Sequence, residues 1–83
     1  MANSMDRKDI VLKLTKLFQT VFNDSQLVVT DQMTANDVAG WDSLSHMVLI
    51  MEIEDLFEIK IKLKELNKMR NVGDMVEIIN QKI

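Results

Sequence analysis

A chain of 83 residues with a formal net charge of −3 has room for one small domain, expected to span residues 1–83. It contains no cysteine, which excludes disulfides, thiolate zinc sites and a thiol nucleophile of its own. A chain this short buries only about 60–65% of its unfolded surface, so its chemistry is expected on the surface or borrowed from a partner.

The start, Met1 to Asp9, is polar and charged with no apolar run behind it. No signal peptide and no membrane-spanning stretch are expected, and a cytoplasmic protein is the default. The first helix is predicted from Ile10, Val11, Leu14, Leu17, Phe18, Val21 and Phe22, which form one stripe at helical spacing. Asn23 to Asp42 reads as a loop, long for a helical bundle and therefore expected to be functional. Leu27, Val28, Val29, Met33 and Val38 are expected to pin it to the core, and it has room for a short helical turn.

The middle helix is predicted from Ser43 to Phe57, with Asp42 as its N-cap. A short helical piece follows around Leu63 to Lys68, with Ile59, Ile61, Leu63, Leu66 and Met69 directed to the core. Ile59 and Ile61 alternate with lysines but lack a second strand to pair with, so the stretch reads as an extended connection. The last helix carries Val72, Met75, Val76, Ile79 and Ile83 on one stripe. Asn71 caps it and Asp74 in its first turn suits the helix dipole. The expected architecture is all-α: a small four-helix bundle of three main helices and one short one, with a long first loop.

The middle helix has two apolar faces. At 100° per residue, Leu49, Ile50, Ile53, Leu56 and Phe57 form a sufficient core face. Leu44, Met47, Val48 and Met51 lie on a different side, interleaved with Glu54, Asp55 and Glu58. One reading packs this second face under the long loop. The other leaves it as an exposed apolar strip rimmed by acids, where flexible methionines suit several partners. Charge is also uneven. Between Lys16 and Lys60 stand Asp24, Asp31, Asp37, Asp42, Glu52, Glu54, Asp55 and Glu58 with no base. That stretch repels nucleic acid and anionic membrane and attracts a basic protein surface, although a solvated acidic face has the same composition.

Gly40-Trp41-Asp42-Ser43-Leu44 opens the middle helix. A serine there suits a phosphate, because unpaired N–H groups and the positive end of the dipole stabilise an anion. Serine at a helix start is also ordinary capping chemistry. In context, Asp42-Ser43-Leu44, the following Glu54-Asp55-Leu56-Phe57 with Ile59 and Ile61, and the late Asn71-Val72-Gly73-Asp74-Met75-Val76 resemble the acyl carrier protein family from about Ile10 to Ile79.

The resemblance implies a carrier rather than an enzyme. A phosphopantetheinyl transferase would move 4′-phosphopantetheine from coenzyme A onto the hydroxyl of Ser43, with Asp42 supporting the reaction. The arm's thiol would carry acyl or aminoacyl groups as thioesters between loading and transfer enzymes. Leu44, Met47, Val48, Met51, Glu54 and Asp55 match the family's partner face. Ile50, Ile53, Phe57 and Val72 would line an interior able to shelter a short acyl chain. The chain also departs from the family: Ser45 and Val48 stand where acids are frequent. Lys60, Lys62, Lys64, Lys68 and Arg70 make basic a segment that is usually acidic. These departures imply a dedicated biosynthetic pathway with its own partners. The chain is expected to be a monomer.

Other chemistry is poorly served. The only histidine, His46, is three residues from Ser43 and projects about 60° away on a helix, with no Gly-x-Ser-x-Gly elbow for a hydrolase. It reads as a partly buried packing residue. One histidine and scattered carboxylates match neither zinc nor EF-hand spacing, so no metal site is expected. The remaining alternative is an unmodified helical interaction module using the Met47 and Met51 face.

Overall fold

The structure is a computed structural model and describes residues 6–83. Met1 to Met5, the first part of the polar start, lie outside the described residues. Among the described residues there are four α-helices: α1 (Arg7–Val21), α2 (Ser43–Phe57), α3 (Leu63–Leu66) and α4 (Val72–Lys82). The all-α bundle of three main helices and one short one is as expected. The boundaries of α2 follow its local chemistry. Asp42 sits in extended conformation and its side chain accepts from the Ser45 N–H. At the other end Glu58 turns into the left-handed region (φ 56°), and Ile59 N–H closes back on the Glu54 carbonyl. Asn23 ends α1 in the same left-handed way (φ 52°), with Asp24 N–H returning to the Gln19 carbonyl.

Helix α1 packs against both α2 and α4. The core joins Ile10, Leu14 and Phe18 of α1, Leu49, Ile50, Ile53 and Phe57 of α2, and Val72, Met75, Val76 and Ile79 of α4. The α4 stripe is wider than the sequence suggested, because Ile78 is buried too. Three residues assigned to the core are exposed instead. Leu56 (42% exposed) lies at the edge of the α2 face, over a shallow cleft edged by Lys13, Lys16, Leu17 and Thr20. Val28 (63%) lies between Leu27 and Val29 in an extended run, where neighbours take opposite sides. Leu63 (76%) starts α3, whose inward side is taken by Leu66.

The long connection, residues 22–42, is held from two sides. On the α1 side Gln19 Nε2 donates to the Leu27 carbonyl at 2.9 Å, and Val29 N–H donates to Thr15 Oγ1 at 3.4 Å. On the α4 side Val72 N–H donates to the Met33 carbonyl (2.9 Å) and Gly73 N–H to the Asp31 carbonyl (2.8 Å). The loop thereby satisfies two of the orphan amides that open α4. A Cβ on Gly73 would lie 3.1 Å from the Asp31 carbonyl oxygen, so the loop approaches most closely where α4 has no side chain. Buried Val29, Val38 and Trp41 supply the apolar anchors. The short helical turn expected in the loop is a 3-10 turn, Ala35–Asp37, capped by Thr34 with Asp37 accepting in return. Arg7 ties the outside together, reaching Asp31 at 3.0 Å and Glu77 at 2.7 Å.

Candidate functional site

The end of the loop delivers the motif to the first turn of α2. Gly40 adopts φ +88°, a conformation that side-chain-bearing residues rarely adopt. That turn sends Trp41 inward, edge-on to Phe18 (centroids 5.1 Å, 85°) and 6.0 Å from Phe22. Asp42 and Ser43 are left exposed. The indole also donates to Nδ1 of His46 at 3.0 Å. His46 is thus half-buried, as expected, and the nitrogen facing the indole is occupied, so it is not a free base for Ser43.

Two serines stand on this turn, and their hydroxyls differ. Ser45 Oγ accepts from the Asp42 N–H (2.8 Å) and donates to the Gly40 carbonyl (2.7 Å). With the Asp42 carboxylate accepting from the Ser45 N–H (2.9 Å), the pair forms a reciprocal capping box. That hydrogen bond from the Ser45 backbone is the chief reason the Asp42 carboxyl titrates below the ordinary aspartate range. Ser45 therefore fills the acid's usual place as a structural cap. Ser43, the first residue of α2, is exposed, and its hydroxyl has no hydrogen-bond partner among the described residues.

Beside Ser43 a cleft of about 680 Å³ opens between the start of α2 and α3. Trp41, His46, Met47, Leu63, Leu66 and Met69 give it an apolar lining, and Arg70 places a cation in it. Ile50, Ile53, Phe57 and Val72, expected to line the interior, are buried in the core between the helices. Leu63 and Arg70 were missed as site residues. An apolar residue flanked by Lys62 and Lys64 was the available signal.

The second face of α2 is not packed under the loop. Leu44 is 77% exposed and Met51 62%, and Met47 and Val48 are exposed with them. Asp55 is exposed on the same face, but Glu54 is half-buried, and its Oε2 accepts from the Ile61 N–H at 2.8 Å. Glu54 therefore fastens the α2–α3 connection.

The profile of the phosphopantetheine attachment site matches residues 12–79, most of the chain. The chain belongs to the acyl carrier protein family. The acyl carrier protein of Thermotoga maritima is 30% identical over 77 residues, covering 93% of this chain and 95% of that one. That of Exiguobacterium sibiricum is 29% identical over 79 residues, 95% and 100% of the two chains. Among solved structures, the holo acyl carrier protein of Geobacter metallireducens superposes with a TM-score of 0.83 at 44% identity, covering 87% of this chain and 83% of that one. The crystal structure of the Thermotoga maritima acyl carrier protein gives 0.81 at 27% identity, covering 98% and 94%. Acyl carrier proteins are carriers rather than enzymes, and their prosthetic group is covalently attached 4′-phosphopantetheine. Among the described residues no helix is long and apolar enough to cross a membrane.

Proposed function

We propose that Ser43 is the attachment point for 4′-phosphopantetheine and that this carrier serves a dedicated biosynthetic pathway in the cytoplasm. The observation that carries the site is the division of labour between Ser43 and Ser45. One hydroxyl is exposed and unengaged at the N-terminus of a 15-residue helix, and the other is locked in the capping box. The residues present fit a phosphodiester on Ser43. The opening amides of α2 and the positive end of its dipole stabilise an anion there, and the neighbouring cleft is roomy and mostly apolar. When bound, the arm supplies a thiol that holds acyl or aminoacyl cargo as a thioester, which the cysteine-free chain cannot do itself.

The chain's own residues then have distinct tasks. The Asp42 carboxylate, ionised at neutral pH, orders the first turn of α2 and stands beside the serine that a transferase must reach. Leu44, Met47, Val48, Met51 and Asp55 offer the surface on which a phosphopantetheinyl transferase and cargo-handling enzymes dock. Glu54 supports that surface through Ile61. The dedicated pathway rests on the surface chemistry, with Ser45 and Val48 in place of acids and a basic segment from Lys60 to Arg70.

The test is intact mass after incubation with coenzyme A, magnesium and a broad-specificity phosphopantetheinyl transferase. Wild type gains one phosphopantetheine group and Ser43→Ala gains none. A folded wild type that stays unmodified beside a working control carrier overturns the reading and leaves an unmodified interaction module.

A further inference from the structure

The surface beside α2 carries charge that the fold does not use. Between residues 60 and 70 stand Lys60, Lys62, Lys64, Lys68 and Arg70 against one acid, Glu65. All five cations are exposed, and none joins an ion pair among the described residues. Glu65 is already engaged. Its Oε1 accepts from the Lys62 N–H at 2.8 Å and pairs with Lys82 Nζ at 3.1 Å. It therefore compensates the end of α4 rather than the basic segment.

These cations adjoin apolar surface. Leu63 is among the most exposed large apolar residues and shares the cleft with Met47 and Arg70, so the apolar strip of α2 continues onto α3. Lys60 and Lys62 alternate with buried Ile59 and half-buried Ile61, which directs them outward. On the α2 wheel Met47 lies toward the cleft, exposed Asp55 and Glu58 fall within the strip, and Glu52 lies beyond it on the far side. The surface thus joins an apolar strip studded with acids on α2 to a run of cations around α3.

We propose that the basic segment from Lys60 to Arg70 is the selective half of the docking surface, fitting partner proteins that present carboxylates around an apolar contact on the α3 side. An anionic bilayer meets this pattern poorly, because the α2 half carries exposed acids and the net charge is −3. A protein surface can match both halves. Within a Debye length of about 8 Å, opposite charges steer encounter and like charges reject it. A partner with a basic patch facing α3 is therefore disfavoured. That the partner is a cargo-handling enzyme rests on the carrier reading, but the sign of its charge does not.

The test uses the unmodified protein, so its outcome is separate from whether Ser43 takes an arm. Two designed helical peptides with one leucine stripe, flanked in one by glutamates and in the other by lysines, are titrated into 15N-labelled protein. The glutamate peptide is expected to shift the amides of Leu63, Lys64 and Arg70. The charge reversal Lys62→Glu/Lys64→Glu/Lys68→Glu is expected to weaken it about tenfold or more. The neutral variant Lys64→Gln/Lys68→Gln is expected to fall between and guards against a folding defect. Binding of the lysine peptide is not weakened by either. Equal affinity of wild type and reversed protein for the glutamate peptide overturns the proposal. So does binding of the wild type, but not the reversed protein, to phosphatidylglycerol vesicles, which assigns the segment to lipid.

Discussion

The indole N–H of Trp41 donates to Nδ1 of His46 at 3.0 Å, and the two rings lie within 16° of parallel with centroids 6.0 Å apart. Only a neutral imidazole can accept that bond, which places its proton on Nε2. Burial also pushes the His46 pKa below its ordinary 6.5. The groups that share its cleft are Asp42 and Arg70, of opposite sign. In the unfolded chain the imidazole takes up its proton near 6.5, and in the folded one only at lower pH. The contribution is therefore complete above about 6.5 and is lost as pH falls toward the folded value. Urea unfolding followed by Trp41 fluorescence should show stability declining across that window. His46→Gln, which keeps an acceptor without a titrating ring, should flatten the decline, and an identical decline in that variant would rule His46 out as its source.

Ser45→Ala separates the cap from Ser43, the proposed attachment point. It removes the hydroxyl that joins the Asp42 N–H to the Gly40 carbonyl. The expected cost is about 1 kcal/mol in chemical denaturation. Modification at Ser43 should still go to completion by intact mass. Loss of modification in a folded Ser45→Ala protein would show that the serine assignment is wrong.

The two faces of α2 should separate stability from partner use. Leu49 is fully buried, so Leu49→Ala is expected to cost about 2–5 kcal/mol, which approaches the whole stability of a domain this size. Met51 is 62% exposed, and Met51→Ala should stay within about 0.5 kcal/mol of wild type while lowering kcat/KM for the cognate transfer enzyme. Thermal melts and a transfer assay on the same two proteins check both halves. Equal losses of stability would return Met51 to the core.

The helices were readable because their signals are local. Capping residues and period-3.6 stripes report on their own segment, so α2 was bounded at Ser43 and Phe57 and Asn71 was recognised as a cap. Single exposures were harder. Val28, Leu56 and Leu63 are apolar, and their exposure is decided by which neighbour takes the inward position. The role of Glu54 was likewise invisible, because it depends on the chain turning at Glu58 to bring the Ile61 N–H within reach. The motif showed where Ser43 stands, but not that Ser45 is engaged. That distinction arises from the left-handed turn at Gly40, which brings its carbonyl to the second hydroxyl.

The loop that carries the motif lends its Asp31 and Met33 carbonyls to the opening amides of α4. Protein synthesis proceeds from the N-terminus, so Ser43 is made well before Val72 and Gly73 exist. Until then the loop has only its ties to α1 and to the first turn of α2. The serine is present on the growing chain, but the platform that presents it is complete only once α4 has been added, which makes the ordered presentation of Ser43 depend on a helix synthesised after it.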